Sequence, residues 1–389
     1  MSQLRVYLPP FGPDYSGACN LLFPFNSMLV IHDANGCTSN YTSYDEPRWY
    51  GSKKAVFCSA LRKIDVAMGD EEKFLKRISH AATELKPDFI AFVGSPVPLV
   101  MGTDFEGFAV EVEERTGIAC LGLATNGTGQ YQEGIAMAGM SLLDRFLPDD
   151  RKVRPQTVNL LGATPMDFHS DCLCSLQKGL ADRGWQVVFC LSDENLPLDI
   201  MASRQAAASI ALGEGGREIG RWLEKYYQIP WLAACPIGDH QLDVLVAELE
   251  KLVTGQRESG YLAWTPKREA KFKGLLLHEP VIGLGMVQAL ESAEPDWRWD
   301  LASPFVQAFD QASPNCSYLP LETDLIQAVN QDYDFIVADP LILKLVDKEK
   351  ATKLVKLGHF AISSHFCQAD AWRDRTDKFV ENIIERCFE

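Results

Sequence analysis

The sequence predicts an α/β protein with three Rossmann-like domains, whose parallel sheets are flanked by helices around a central cleft. Short apolar runs alternate along the chain with longer segments that carry apolar residues at helical spacing. The segment Asp88–Gly94 contains a continuous apolar run, which is typical of a strand buried on both faces of a parallel sheet. Polar gaps at 147–156 and 254–273 interrupt this alternation and predict domain boundaries.

The first predicted domain covers residues 1–150. A strand at Ser27–His32 leads into the turn Asn35-Gly36-Cys37. The remaining predicted elements of this domain, in chain order, are a helix at 71–84, the strand at 88–94, a helix at 104–116, a strand at 118–123 and a helix at 130–146. Strands alternating with helices of this length indicate βαβ units. Three small domains fit the pattern better than one large barrel, although the number of units alone does not decide between them.

The same alternation continues through a second domain, 151–265, and a third, 266–389. In the second domain we predict strands at 158–161, 186–191, 206–212 and 230–234, and helices at 170–183, 216–227 and 239–252. In the third domain we predict strands at 274–277 and 333–338, a helix at 281–292 and a C-terminal helix from residue 375.

The composition excludes several classes of protein. The chain has 389 residues, a net charge of −16 and a sequence pI near 4.9, which argues against non-specific nucleic-acid binding. No apolar run reaches the length of a membrane span, and the N-terminal residues lack the pattern of a signal peptide, so we expect a cytoplasmic protein. There the 11 cysteines would stay reduced and serve as core residues, metal ligands or nucleophiles.

Four side chains of the first domain are candidate metal ligands. Cys37 and Ser95 follow predicted strands, at the sheet edge where ligands bind in open α/β folds. Cys58 occupies a similar position, and Cys19 reaches the same area if residues 20–26 pack back as a short helix. The alternative is that these thiols simply fill a core, because the spacing of Cys19 and Cys37 matches no short metal-binding motif.

Other motifs are weaker. The glycine-rich stretches 127–129, 213–216 and 283–285 match no complete phosphate-binding loop, so no bound nucleotide is expected. His359 and His365 bracket a possible cavity-lining loop, although surface or core histidines fit the same pattern. We interpret the remaining cysteines of the predicted strands and helices, Cys120, Cys172, Cys174, Cys190 and Cys235, as packing residues.

Taken together, several segments resemble the nitrogenase component 1 superfamily. Gly17-Ala18-Cys19 and the turn from His32 to Gly36-Cys37 resemble its first two cluster-binding segments. Further similar segments, in the same order as in the family, are 65–70, 87–91, 102–104 and Ile229-Pro230-Trp231. The resemblance implies an iron–sulfur cluster held by Cys19 and Cys37, with Cys58 as a reserve ligand.

The chain departs from the family pattern at three points. Its turn lacks the usual proline, Ser95 stands where the family has its third cysteine, and Leu212-Gly213 carries no cysteine for an active-site metallocluster. These departures disfavour an eight-iron cluster and dinitrogen reduction. A [4Fe–4S] cluster shared across a subunit interface, with Ser95 beside it, suits two or three thiolates per chain better.

The resemblance therefore implies a subunit of a nitrogenase-like reductase. An ATP-dependent iron protein would deliver electrons through the cluster to a substrate or cofactor in the cleft. The partner across the interface would be a second component 1-like subunit or a second copy of this chain. His32, Asp33, His359 and His365 are candidate proton sources. Two alternatives remain open, a metallocluster assembly scaffold of the same superfamily and a metal-free three-lobed binding protein.

Overall fold

The computed structural model describes residues 5–68, 71–148, 152–191, 198–265, 267, 269–305, 316–363 and 377–388. The chain divides into two compact units, a smaller one (12–147 and 191–194) and a larger one (1–11, 148–190 and 195–389). Three parallel sheets flanked by helices lie in these units, which confirms the predicted α/β class. None of the helices in the described ranges combines the length and the apolar character needed to cross a bilayer.

The smaller unit holds a four-stranded parallel sheet. Its strands are β1 (Ser27–His32), β2 (Ala55–Cys58), β3 (Phe89–Gly94) and β4 (Ala119–Leu123), in the order β2-β1-β3-β4. The central strands β1 and β3 are buried at every position, because helices cover both faces of the sheet. In their register His32 lies opposite Gly94, so the turn after β1 and the turn after β3 leave the same edge.

The described part of this unit contains seven α-helices: α1 (Asp14–Leu22), α2 (Gly36–Asn40), α3 (Lys63–Met68), α4 (Glu72–Leu85), α5 (Pro96–Met101), α6 (Phe105–Thr116) and α7 (Tyr131–Phe146). A π-helical turn at Tyr41–Asp45 and a 3₁₀ turn at Pro47–Trp49 follow α2. The helices α1 and α7 pack very closely. A Cβ added at Gly134 would lie only 1.7 Å from the backbone oxygen of Asp14, so the contact requires glycine.

The second sheet lies in the larger unit. Its strands are β5 (Thr157–Leu161), β6 (Gln186–Cys190), β7 (Ala208–Ala211), β8 (Trp231–Ala233) and β9 (Gly260–Tyr261), in the order β6-β5-β7-β8-β9. The helices around it are α8 (Ser170–Asp182), α9 (Ile200–Ser203), α10 (Glu214–Tyr227) and α11 (Gly238–Val253). The change of direction in strand order, between β5 and β7, is the point where ligands bind in open α/β sheets.

The third sheet follows in the same unit. Its strands are β10 (Phe272–Leu277), β11 (Trp297–Ser303), β12 (Cys316–Tyr318), β13 (Phe335–Ala338) and β14 (Lys353–Lys356), in the order β12-β11-β10-β13-β14. Its helices are α12 (Pro280–Ala293), α13 (Glu322–Val329), α14 (Phe360–Ser363) and α15 (Asp377–Phe388), with a 3₁₀ turn at Ile342–Leu345. One apolar core joins the second and third sheets, with side chains such as Leu160 and Leu276.

The segment 5–11 also belongs to the larger unit. The carboxylate of Glu322, at the start of α13, accepts hydrogen bonds from the backbone N–H groups of Val6, Tyr7 and Leu8 at 2.8, 2.8 and 2.7 Å. The ring of Phe11 packs 5.5 Å from that of Phe305. These contacts attach the segment to the third sheet's layer before the chain enters the smaller unit.

Candidate functional site

The turn after β1 presents Cys37 at the carboxyl edge of the first sheet. Asn35 adopts a left-handed conformation with φ of 103°, which asparagine tolerates better than most residues, and α2 begins at the next residue. The side chain of Cys37 is half-buried, and a Cβ added at Gly36 would meet no atom within 4 Å. Open space therefore lies beside Gly36, the residue that precedes Cys37.

Asp33 holds this turn in place. Its Oδ2 accepts the backbone N–H of Cys37 at 2.8 Å, and its Oδ1 lies 3.3 Å from the hydroxyl of Ser95. The Ser95 hydroxyl also donates to the backbone oxygen of His32 at 2.9 Å. Ser59 brackets the backbone of Asp33, with its hydroxyl oxygen 2.8 Å from the N–H and 3.0 Å from the carbonyl oxygen. Asp33 thus connects three turns: its carboxylate joins the turns after β1 and β3, and its backbone contacts the turn after β2.

The thiol of Cys37 is surrounded by polar groups. Burial and the negative charge of Asp33 raise the pKa of Cys37, while hydrogen bonds from the hydroxyls of Tyr15 and Ser95 act in the opposite direction. Burial, followed by the charges of Cys37 and Asp45, raises the pKa of Tyr15, which remains a donor. The structure therefore brings Cys37 and Ser95 together, two of the candidate ligands named from the sequence.

Cys19 lies in a different environment. It belongs to α1, rather than preceding a short helix at 20–26, and its side chain is completely buried. Burial and the neighbouring charge of Glu46 raise the pKa of its thiol well above the usual value. Glu46 forms an ion pair with Arg48 at 2.7 Å, and Arg48 also donates to the backbone oxygen of Asn20 at 2.7 Å. Glu46 and Arg48 thus form a polar arch against α1, the helix that carries Cys19.

Cys58 ends β2 and is partly exposed. Its sulfur lies 3.4 Å from the backbone oxygen of Asp33 and accepts the backbone N–H of Ala60 at 3.2 Å. Asp33 is thus adjacent to Cys58 through its backbone and to Cys37 through its carboxylate. The three candidate thiols have different immediate neighbours.

These donors supply only part of an iron–sulfur site. Within the described ranges, no three His, Cys, Asp or Glu side chains converge in a way that could hold a metal ion. Cys37 and Cys58 are both half-exposed thiols, so each could supply one ligand to a cluster, but the described residues do not bring a complete ligand set together.

His32 is buried among aromatic rings. Its ring centroid lies 4.9 Å from that of Phe74, 5.4 Å from Phe108 and 6.0 Å from Phe105. Neither ring nitrogen has a hydrogen-bond partner among the described residues, and burial lowers the pKa of His32 to about 4. A cavity of about 30 Å³, also lined by Ser59, adjoins it. At neutral pH this imidazole is uncharged. It must therefore accept a proton before it can donate one as an imidazolium.

His359 lies in the larger unit, after β14. Its Nε2 is 3.1 Å from Oδ1 of Asp167, and its Nδ1 accepts the backbone N–H of Ala361 at 3.2 Å, which assigns the ring proton to Nε2. Its ring packs 4.8 Å from His278 and 4.9 Å from Phe305. The second histidine of this predicted loop, at position 365, lies outside the described residues.

The sequence analysis missed a group of buried acids at the carboxyl edges of the second and third sheets. Glu214 begins α10, directly after β7, and Glu279 begins the turn between β10 and α12. Glu214 pairs with Arg217 at 2.6 Å and contacts the hydroxyl of Tyr261. An acidic residue directly after an apolar strand was the available signal for both positions.

Comparison with known proteins identifies the family. A family model of nitrogenase component 1 type oxidoreductases matches residues 14–273. The solved structure of nitrogenase Cp1 at pH 6.5 matches with a TM-score of 0.71 and 13% identity, covering 100% of this chain and 94% of that one. Nitrogenase Cp1 at pH 5 matches with a TM-score of 0.70 and 12% identity, covering 100% and 90%.

No curated protein sequence matches the chain. At 12–13% identity the structural matches show the fold alone. The family model, in contrast, covers about two thirds of the chain, from α1 to the start of β10. The chain therefore belongs to the nitrogenase component 1 type oxidoreductase family.

Proposed function

We propose that this chain is a subunit of a nitrogenase-like reductase, and that Cys37 anchors an iron–sulfur cluster shared with another subunit. The partner is a second component 1-like chain or a second copy of this one. An ATP-dependent iron protein supplies the electrons, and a substrate or cofactor bound by the larger unit accepts them. The cytoplasmic location stays a prediction.

The half-exposed thiol of Cys37 is the observation that carries this proposal. It stands at the carboxyl edge of a parallel sheet, with open space beside Gly36 and with the hydroxyls of Tyr15 and Ser95 as neighbours that act to lower the pKa of the thiol. Hydroxyl donors stabilise a thiolate, which is the form that binds iron. When bound, an iron–sulfur cluster supplies one-electron transfer; Asp33, Tyr15 and Ser95 hold the thiol at the position where it is needed.

Cys58 and Cys19 have different parts in the proposal. Cys58 is partly exposed on the other side of Asp33 and is a second ligand candidate. Cys19 is completely buried, so it can bind iron only if the arch formed by Glu46 and Arg48 opens. Of the candidate proton sources, His359 is the one whose ring nitrogen lies next to a buried acid, with Nε2 3.1 Å from Oδ1 of Asp167.

Iron analysis after anaerobic purification tests the proposal. We expect iron and sulfide in the full-length wild-type protein, their loss in Cys37→Ala, a partial loss in Ser95→Ala, and an unchanged content in Cys174→Ala. Cys174 is the matched control, because it is an exposed cysteine on α8 in the larger unit. A colourless wild-type protein without iron would overturn the cluster, and full iron content in Cys37→Ala would overturn the ligand.

Turnover then separates a reductase from an assembly scaffold. The iron-loaded protein is mixed with reductant, MgATP and an iron protein, and oxidation of the reductant is followed with candidate substrates. A cluster that is retained but never reoxidised by any substrate would favour the scaffold.

A further inference from the structure

Four buried acidic side chains lie at the facing carboxyl edges of the second and third sheets, within the larger unit. They are Asp167 after β5, Glu214 after β7, Glu279 after β10 and Asp339 after β13, and each is at most 1% exposed. An ionised carboxylate that is removed from water requires a cation or several hydrogen-bond donors. The four acids differ in whether they have such partners.

Three of these acids have partners that stabilise a negative charge. Glu214 pairs with Arg217 at 2.6 Å and contacts the Tyr261 hydroxyl. Asp167 faces Nε2 of His359 at 3.1 Å.

Asp339 accepts three donors. They are the hydroxyl of Ser363 at 2.6 Å and the backbone N–H groups of His359 and Leu341, both at 2.8 Å.

Glu279 also accepts backbone donors, but among the described residues it has fewer donors in all than Asp339. Its Oε1 accepts the backbone N–H of Glu214 at 2.8 Å, and its Oε2 accepts that of Ile282 at 2.9 Å. Within the described residues no lysine, arginine or histidine forms an ion pair with it. The charged or titratable groups that face it are Asp167, Glu214 with its partner Arg217, and the Tyr261 hydroxyl. Two of these neighbours repel an ionised Glu279, and Arg217 is already bound to Glu214.

The position of Glu279 joins the two sheets. Through its two oxygens it connects the first residue of α10, which packs on the second sheet, with the first turn of α12, which packs on the third. The Glu279 side chain is fully buried, and the same helix approaches the second sheet closely, because a Cβ added at Gly285 of α12 would lie 2.0 Å from the backbone oxygen of Cys235. An ionised Glu279 would therefore place an unpaired charge in a close-packed joint.

We propose that Glu279 is a proton-binding site, protonated at neutral pH, and that this proton keeps the joint between the second and third sheets closed. Loss of the proton leaves a third negative charge beside Asp167 and Glu214, while Arg217 is already paired with Glu214. The joint is then weakened in alkaline solution. This inference concerns the protein without any bound group and does not depend on the proposed reductase function.

The direction in which stability changes with pH follows from the cause of the Glu279 pKa shift. Burial, together with the charges of Asp167 and Glu214, raises the pKa of Glu279 well above its usual value. A carboxyl whose pKa is higher in the folded than in the unfolded chain loses stability as pH rises from the unfolded value through the folded one. In that interval each pH unit changes the ratio of folded to unfolded protein by about tenfold for this one group.

Infrared spectroscopy tests the proton directly. In a difference spectrum of the full-length wild-type protein minus Glu279→Gln at pH 7, we expect the carbonyl band of a protonated carboxylic acid. Glu322→Gln is the matched control. Glu322 is also buried, which by itself raises its pKa, but its three backbone hydrogen bonds make the pKa lower than usual. Its difference spectrum should show carboxylate bands only.

Two results would overturn the proposal. One is a difference spectrum for Glu279→Gln that contains only carboxylate bands. The other is a protonated-acid band that Asp167→Asn removes and Glu279→Gln retains, which places the proton on Asp167 instead.

Urea unfolding between pH 6 and pH 9 gives a second readout. The quantity compared is the change in the free energy of unfolding per pH unit, not the free energy itself. The decline of wild-type stability with pH should be weaker in Glu279→Gln and unchanged in Glu322→Gln. If Glu279→Gln does not fold, Glu279→Asp replaces it, and the infrared band should then change in frequency. A wild-type slope that neither Glu279 variant alters would contradict the inference.

Discussion

The first sheet and the pair formed by the second and third sheets place polar side chains at the same kind of edge, but with different results. After β1 and β3, Asp33, Ser95 and Tyr15 converge on the thiol of Cys37, which remains half-exposed with open space beside the preceding Gly36. After β7 and β10, Glu214 and Glu279 are buried and bound to groups of the same chain. The first edge is open to an external group, whereas the second is closed on itself.

This difference shows that an acidic or thiol side chain after a strand does not by itself indicate a ligand site. What distinguishes the two edges is exposure, because Cys37 is half-exposed whereas Glu214 and Glu279 are at most 1% exposed. Measurements that compare the two edges can therefore test whether they differ in this way.

Thiol accessibility should give the largest difference. Under native conditions iodoacetamide should modify Cys37 at least about 100-fold faster than Cys235, because Cys235 lies in the close-packed joint and reacts only after local opening. Peptide mass spectrometry at successive times measures both rates in one sample. The urea-unfolded chain is the control, in which the two cysteines should react alike. Equal native rates would mean that both edges are open.

Glycine substitutions should give the next largest effect. Gly134→Ala should destabilise the smaller unit by about 3 kcal/mol, because the new Cβ would lie 1.7 Å from the backbone oxygen of Asp14 and force α1 and α7 apart. Gly36→Ala is the control at the open edge and should cost less than about 0.5 kcal/mol. Urea unfolding of both variants measures these costs. A larger loss in Gly36→Ala would show that the turn is more tightly packed than its surroundings indicate.

His32→Phe should change the acid dependence of stability. The pKa of His32 falls from 6.5 to about 4 through burial, so the unfolded chain binds this proton more strongly and stability is lost as pH falls from 6.5 towards 4. The loss at pH 4 is about 2–3 kcal/mol. His32→Phe, in a cage of Phe74, Phe105 and Phe108, should remove that component from unfolding curves measured between pH 7 and pH 4.

His80→Gln is the matched control for this measurement, because His80 is exposed on α4. It should leave the acid dependence of unfolding unchanged. If His32→Phe retained the full acid dependence, another group would be responsible for it.

The smallest effect is expected from the surface pair Arg62 and Asp65. The Arg62 side chain contacts the carboxylate at 2.9 Å, and this hydrogen bond lowers the pKa of Asp65 to about 2, but the pair is exposed to solvent. Exposed pairs contribute little to stability. Arg62→Ala should therefore leave the thermal unfolding midpoint within experimental error of the wild type, and a clear decrease would show that α3 needs this contact.

Much of the fold was predictable because continuous apolar runs have few alternatives. The predicted strand at Ser27–His32 has those bounds in the structure, and the predicted helix at 130–146 is observed at Tyr131–Phe146. The strand Trp297–Ser303 was missed, since Arg298 and Asp300 on its solvated face interrupt the apolar pattern. The edge strand Lys353–Lys356 was missed for the same reason, as only Val355 is buried.

A site residue was predictable from the sequence only where the turn that contains it fixes its position. Cys37 and Ser95 were found because both follow a strand, and the register of β1 with β3 then brings their turns together. Cys19 was placed at the rim, whereas the helix that begins at Asp14 buries it. The contact of Glu279 with Glu214 joins two sheets, and no spacing in the sequence encodes such a pairing.

The hydrogen bonds between Glu322 and residues 6–8 have a consequence for synthesis of the chain. Val6 and Glu322 are separated by 316 positions, so on the ribosome residues 6–8 are made long before their partner. The smaller unit lies between them in sequence and has its contacts close together, which favours its early folding. The segment 5–11 is therefore expected to dock on α13 late in folding, after the part of the larger unit that contains Glu322 has formed.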